Sequence, residues 1–282
     1  MNPPLTSDEL GLLVDPTEAE FRSLSQLVYD HFGIHLTDKK KALVRGRLNK
    51  VLKTRGLKTF SQYLDTVRSD PTGLALIELV DRISTNHTFF FREADHFHFL
   101  RDVALNELRS ETEIRIWCAG CATGEEAYTL AMVAQDWAER TGYRGSLRIL
   151  ATDISLTALE TAVAGRYNSD RVRLVPQDFK RKYLEGLGED LWTVSPALRS
   201  LILFRRLNFM DQDFPFRQQF HSVFCRNVMI YFDRETKEAL VQKICRHLAP
   251  GKYFFIGHSE SLGRTSSDLE YVQPSLYRKG AP

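Results

Sequence analysis

From Thr17 onward, apolar residues recur at helical spacing: Phe21, Leu24, Leu27, Val28 and Phe32, closed by Gly33. A second helical stretch over residues 38–55 puts Val44, Leu48, Val51 and Leu52 on one side and stops at Gly56. A third uses Phe60, Tyr63, Leu64 and Val67 and stops at Asp70-Pro71; a fourth uses Leu76, Ile77, Val80 and Ile83. Four short amphipathic helices with no strand between them predict a small all-α domain over residues 17–85. Residues 1–16 carry Pro3, Pro4 and Pro16 without a period, which predicts a flexible tail.

Beyond residue 97 the pattern alternates. Glu93 opens a helix with Phe97, Leu100, Leu105 and Leu108 inward. A strand begins at Ile114, passes through small residues with Gly120 and Gly124, and leads into a helix over 125–140 with Leu130, Val133, Ala134 and Trp137 on one side. Residues 147–152 read as a second strand ending at Asp153, and 156–164 as a helix stopped by Gly165. Residues 166–173 are short and basic, and 177–184 are helical, turning extended at Tyr183-Leu184. Strands at 191–194 and 201–207 complete an expected β-rich insertion at about 170–206. A strand at 220–224 and a helix at 234–249 follow, the helix with Leu240, Ile244 and Leu248 inward and Pro250-Gly251 as its stop. A buried strand at 253–256 and a last strand at 271–278 finish an open α/β sheet with an antiparallel edge, spanning 97–282. Residues 86–96 join the two domains.

The bend at 114–126 is the candidate site. Strand, glycine turn and helix start make a crevice where a ligand can lie against backbone. No Gly-Lys-Ser/Thr follows, so it is not a Walker A loop, and it lacks the tight Gly-x-Gly of a dinucleotide fingerprint. Cys118 and Cys121 imitate a thioredoxin motif, but they sit where a strand turns at glycine and read better as small residues lining the crevice. Glu125 and Glu126 suit a helix start whatever the ligand. Asp153, at the end of the second strand, is placed either to hold ribose hydroxyls or to cap its own loop, with the ribose role favoured. Asn86, Thr88 and Arg92 flank three consecutive phenylalanines that either fill a joint or rim the crevice.

Composition narrows the setting. With 282 residues and 43% hydrophobic content the chain can bury a large core. Four cysteines do not make a disulfide framework and fit a reducing compartment. Acidic residues crowd positions 1–20, with no basic segment leading into an apolar run, so no secretory signal is read, and no apolar stretch is long enough to span a bilayer. A cytoplasmic protein is expected. Net charge is only +2, yet the second helix carries Lys39, Lys40, Lys41, Arg45, Arg47, Lys50, Lys53 and Arg55 against Asp38 alone. A face of one sign implies a partner of the other. Without interleaved aromatics for base stacking, an acidic protein surface is favoured over nucleic acid.

Five strings together resemble the CheR-type chemotaxis receptor methyltransferases: Asn86-His-Thr-Phe-Phe-Phe-Arg-Glu93, the Thr-Gly-Glu-Glu core of 119–128, Ala151-Thr-Asp-Ile154, Phe224-Cys-Arg-Asn-Val-Met-Ile-Tyr-Phe-Asp233 and Gly257-His-Ser-Glu260. The resemblance runs from about Thr17 to the end. It implies a Rossmann-like S-adenosylmethionine-dependent methyltransferase domain with an inserted small β-subdomain, preceded by an all-α domain. It implies methyl transfer from S-adenosylmethionine, leaving S-adenosylhomocysteine, to glutamate γ-carboxylates on the cytoplasmic helices of chemoreceptors. Cofactor contacts would then fall on Asn86, Thr88, Arg92, Glu126, Asp153, Asn208, Phe209, Asn227 and Val228, with Arg92 and Tyr231 at the reacting centre. Lys40, Arg45, Arg47 and Lys53 would meet the acidic receptor helices. The turn at 185–190 is shorter than in enteric relatives, which argues against tethering to a receptor C-terminal peptide. No metal is required, and His258-Ser259 reads as loop structure. The rival readings are a nucleic-acid methyltransferase, a non-catalytic S-adenosylmethionine-binding module and a thioredoxin-like reductase.

Overall fold

The computed structural model describes residues 13–262 and 268–281. Most of the expected tail, residues 1–12, lies outside them. The chain divides into two compact units between Thr85 and Asn86.

The first unit holds four helices: α1 (Glu18–Phe32), α2 (Lys41–Arg55), α3 (Phe60–Ser69) and α4 (Leu74–Ile83). Each boundary has a local cause. Thr17 and Glu20 form a reciprocal capping box at the start of α1, and Gly33 ends it in the left-handed conformation. Thr59 caps α3. Asp70 accepts the Ala75 and Thr72 amides ahead of α4. The expected second helix begins three residues late, because Asp38–Lys40 form a 3₁₀ turn. Phe21, Leu24, Val28, Val44, Leu48, Phe60, Val80 and Ile83 are buried, as the helical spacing requires, but Leu76 and Ile77, expected inward on α4, are half-buried, and Ala75 and Leu79 take the buried positions.

The second unit is built on a seven-stranded sheet. Its parallel strands are β1 (Glu113–Ala119), β2 (Ser146–Asp153), β6 (Ile202–Arg206), β7 (Phe220–Cys225) and β8 (Leu248–Ile256), and a hairpin of β9 (Leu269–Gln273) and β10 (Leu276–Lys279) adds an antiparallel edge. The order is β6-β2-β1-β7-β8-β10-β9. The winding reverses between β1 and β7, the place where open α/β sheets leave a crevice. Helices α5 (Ala94–Phe99), α6 (Glu125–Thr141), α7 (Leu156–Ala164) and α10 (Arg234–His247) belong to the same unit. A second sheet orders β3 (Arg166–Asn168), β5 (Leu191–Val194) and β4 (Leu184–Gly186), with α8 (Gln177–Tyr183) beside it in sequence and α9 (Pro196–Arg199) after it.

Three elements differ from the sequence expectation. The strand expected inside the insertion near 201–207 is β6, and it pairs with β2 in the large sheet; the small sheet takes β3 from the basic stretch instead. The helix expected to run to 249 ends at His247, and Leu248 already pairs with Phe220. Pro250 and Gly251 stop no helix. They sit in a register shift, where the ladder moves from Phe220–Leu248 to Ser222–Tyr253 and needs no proline amide. The last strand is two strands, turned at Ser275 with φ of 62°.

Trp117, central on β1 and fully buried, anchors the aromatic packing. Its ring meets Phe216, Phe214 and Phe220 at 5.0, 5.4 and 5.5 Å, and its indole N–H donates to Thr152 Oγ1 at 2.9 Å. Trp117→Ala removes that ring and leaves the Thr152 hydroxyl without its donor. A loss of about 3–5 kcal/mol is expected, read as a lowered urea midpoint for the second unit.

Candidate active site

Each of the five parallel strands ends at the same edge of the sheet, and each is followed within two residues by a candidate site residue: Gly120, Asp153 itself, Asn208, Arg226-Asn227 and Gly257. The bend after β1 is fixed first. The amides of Gly120 and Cys121 both donate to Thr152 O, at 2.8 and 2.9 Å. Gly120 has φ of 88°, and a Cβ there would lie 2.3 Å from Val228 Cγ2. Gly124 has φ of 98°, with Ala162 Cβ 2.8 Å from any added Cβ. No other residue fits either position.

Asp153 performs the loop-capping role. Its Oδ2 accepts the Ala122 amide at 2.7 Å and its Oδ1 the Ser155 amide at 2.9 Å. A carboxylate oxygen accepts two bonds, so this role and the ribose role are compatible. Asn86 reaches the same corner, its Nδ2 donating to Ser155 Oγ at 3.4 Å. Asn208 follows β6 and accepts the Met210 amide, and the Phe209 ring lies 6.4 Å from Trp117.

The other half of the site is a buried charge network. Arg226 has a side chain with no exposure. One guanidinium nitrogen donates to Glu126 Oε2 at 2.9 Å; another donates to Glu93 Oε2 at 2.9 Å and to the Arg92 carbonyl. Asn227 Nδ2 donates to Glu93 Oε1 at 3.3 Å. Burial pushes the Glu126 carboxyl up, against the pull of Arg226. Burial would also raise Glu93, but Arg226's charge and hydrogen bonds outweigh it and hold that carboxyl below its ordinary range. Among the described residues five non-glycines have positive φ, and four of them, Phe91, Glu93, Ala122 and Asn227, lie on these loops. Backbone strain of this kind persists where the surroundings over-determine it and gathers at functional sites.

Glu260 completes the frame, a role that its place in the Gly257-His-Ser-Glu260 string does not single out. It accepts the amides of Gly257 at 2.7 Å, Asn227 at 2.9 Å and Ile230 at 3.1 Å. It thereby sets the left-handed Asn227 and the 3₁₀ turn Met229–Tyr231 that carries Tyr231. Arg226 was likewise missed as a site residue. The signal for both lay in the strings that surround them, not in their own residue types. Of the expected contacts, Arg92, Glu126 and Asn227 share one hydrogen-bonded network, and Asn86 joins Asp153 through Ser155. Arg92 itself donates to His87 O at 3.1 Å, with its guanidinium 5.8 Å from the Phe89 ring centre. Thr88 is half-buried between them in the chain.

In the first unit the four cationic candidates differ in what they do. Arg47 donates to the carbonyls of Ile83 and Ser84, at 2.7 and 2.9 Å, and to Thr85 Oγ1. Arg45 pairs with Asp15 at 2.8 Å. Lys40 is half-buried, which lowers its ammonium. Lys53 is exposed.

A sheet of this order, with a glycine bend after the first strand and an acid ending the second, defines a Rossmann-like methyltransferase domain. The chain belongs to the CheR methyltransferase family: the family's S-adenosylmethionine-binding domain matches residues 86–277 and its all-alpha domain residues 19–84. It is similar to the chemotaxis protein methyltransferases of Borreliella burgdorferi (42% identity over 96% of this chain and 98% of the relative), Escherichia coli K12 (35%, 93% and 93%) and Salmonella typhimurium (33%, 98% and 98%). Among solved structures, the N-methyltransferase NodS of Bradyrhizobium japonicum overlaps 67% of this chain and 99% of its own at 14% identity and a TM-score of 0.37, a likeness that carries no functional weight. The cofactor is S-adenosylmethionine, and the residues present suit it. A methionyl ammonium would find an acid in Glu126, a ribose would find one at the end of β2, and a ligand lying on backbone would find the side-chain-free surface at Gly120.

The two bend cysteines have the wrong environment for redox work. Both are free and buried, and burial pushes both thiols well above their ordinary range. Cys118 donates to Glu126 Oε1 at 3.3 Å. Reactive cysteines need the opposite setting. Iodoacetamide at neutral pH is expected to leave both unmodified in the folded protein and to label them after denaturation, as mass spectrometry of the peptides will report.

Proposed function

We propose that this methyltransferase esterifies glutamate γ-carboxylates on the cytoplasmic helices of chemoreceptors, with Arg92 and Tyr231 at the reacting centre and with the cytoplasm as its place of action. The observation that carries the residue assignment is the setting of Arg92. Its neighbours Phe91 and Glu93 both have left-handed backbone, with φ of 58° and 55°, and its own carbonyl is bonded to Arg226. The backbone that presents this side chain is thereby held in place, and the guanidinium itself donates to His87 O at 3.1 Å.

Bound S-adenosylmethionine supplies a methyl group on an electrophilic sulfonium. The acceptor glutamate has an ordinary pKa of about 4.3 and is an anion at neutral pH, so the chain need not remove a proton. Its work is alignment and exclusion of water, which in favourable cases contributes about 7–11 kcal/mol. Glu126 holds the cofactor's ammonium and Asp153 its ribose hydroxyls. Asn86, Thr88, Asn208, Phe209, Asn227 and Val228 complete the cradle. Arg92 steers the incoming carboxylate by a charge-assisted bond and Tyr231 holds it by its hydroxyl. Arg92→Ala is expected to retain cofactor affinity within about threefold while turnover falls about 100-fold or more, the usual cost of losing one transition-state donor. The assay is base-labile label on receptor bands after incubation with labelled S-adenosylmethionine and receptor membranes. Equal losses in binding and turnover would refute the assignment.

The basic helix α2 supports an acidic partner. Lys50 and Lys53 on it, and Lys39 in the 3₁₀ turn before it, are exposed, and receptor methylation segments are acidic helices. The turn between β4 and β5 is only residues 187–190, closed by the Leu187 amide on Leu191 O at 2.7 Å; that length supports the reading that no receptor C-terminal peptide is tethered there. Lys50→Glu with Lys53→Glu is expected to raise the receptor KM several-fold without altering cofactor affinity. In the unaltered protein, methylation should weaken as salt screens exposed charge beyond about 8 Å. A receptor KM indifferent to both would remove α2 from the interface.

A further inference from the structure

We infer that Arg226 is a positioning residue for cofactor binding: its buried guanidinium, shared between Glu93 and Glu126, is the counter-charge that keeps Glu126 able to accept the cofactor's ammonium. This rests on the reading of Glu126 as the acceptor of the cofactor's ammonium. Three segments distant in sequence meet on this one side chain, namely the loop before α5, the first turn of α6 and the end of β7.

The geometry exceeds what stability asks. Arg226 Nε is buried and has no hydrogen-bond partner among the described residues, an unfavourable omission for a buried donor. Apolar replacement of a buried ion pair is often neutral or stabilising. A side chain that keeps an unmet donor in order to reach two carboxylates and a carbonyl is aimed at those acceptors. Only the planar fork of arginine reaches all three at once. The Phe97 ring, 5.2 Å from the guanidinium carbon, walls it from below.

The consequence falls on Glu126. The groups acting on it are Arg226 and Arg92, which favour its anion, and Glu93, which opposes it; Cys118 donates to it, and Cys121 and Cys225 are buried thiols within electrostatic reach. Burial already pushes this carboxyl up. Without Arg226 the rise is larger, and a carboxyl that has taken a proton is neutral and cannot pair with an ammonium. Binding then requires deprotonation, so affinity recovers as pH rises through the displaced pKa.

The test is calorimetry with S-adenosylhomocysteine from about pH 5.5 to 9, the span in which displaced carboxyls titrate. It compares the unaltered protein with Arg226→Met, Arg226→Lys, Glu126→Gln and the double variant Arg226→Met/Glu126→Gln. Arg226→Met is expected to weaken binding about tenfold or more at pH 7, the order of effect of removing one partner of a buried charge pair, and to regain it at high pH. Arg226→Lys should regain part of the affinity at pH 7. The double variant should bind no worse than Glu126→Gln alone and show no such pH dependence, because the two residues act in series. A merely structural Arg226 would lower the melting temperature and leave the pH profile parallel to that of the unaltered protein; that result, or additive losses in the double variant, overturns the proposal. If Arg226→Met does not fold, Arg226→Lys decides: a parallel profile at unchanged affinity overturns the proposal, and a steeper rise with pH supports it. No binding by the unaltered protein would overturn the Glu126 reading as well.

Discussion

The site depends on one carbonyl. Thr152 O, near the end of β2, takes the amides of both Gly120 and Cys121, and so folds the end of β1 across its neighbour. Beyond that bend Ala122 takes the left-handed conformation, and its amide donates to Asp153. Gly120 is then pressed against Val228 from β7's loop, so the two sides of the switch point close on each other at a position where a methyl group would collide. Crevice, acid and cofactor-facing backbone all follow from this double acceptance. The same threonine's hydroxyl receives the Trp117 indole, which ties the site's geometry to the aromatic core beneath it.

Above the bend the problem changes from packing to charge. Glu93 and Glu126 are acids withdrawn from water, and a single guanidinium answers both. Buried charge is tolerated only when it is paired and hydrogen-bonded. Here the pairing joins the segments that must be held relative to each other, so the electrostatic requirement and the positional one are met by the same side chain. Glu260 does the analogous work with backbone amides, which is why its carboxyl can sit half-buried: three N–H groups stand in for solvent.

The elements that were legible in the sequence are those whose boundaries have local causes. α1 and α3 were visible because a threonine cap and an apolar stripe are properties of neighbouring residues, and the glycine bend because no other side chain tolerates its φ. The misread elements depended on distant partners. Residues 202–206 look like the other strands of the insertion; only pairing with β2, some fifty residues earlier, assigns them to the large sheet. Pro250-Gly251 is a sound helix stop by composition, and it became a strand irregularity because β7 offered Leu248 a partner. In the site, motif strings marked the right loops but not which member bears the load. Arginine and glutamate flanking a motif are indistinguishable from solvated charges until burial is known.

The basic helix shows the same limit from the other side. Eight cations against one acid look in sequence like a face of uniform sign. In the folded unit, Lys41, Arg45 and Arg55 are paired with Glu18, Asp15 and Glu78, and Arg47 is spent on the carbonyls that end α4. The acids were always present, but they lie on other helices, where i,i+4 reasoning does not look. Pairing of exposed groups is weak, about 0–1 kcal/mol each, so Lys41, Arg45 and Arg55 remain exchangeable: a receptor helix bearing several carboxylates can compete for them as Glu18, Asp15 and Glu78 do now. Arg47 is different, because its partners are backbone carbonyls that would be left without a donor. The cationic face available to a partner is therefore Lys39, Lys50 and Lys53, reinforced by those three pairs, and Arg47 belongs to the architecture of the unit.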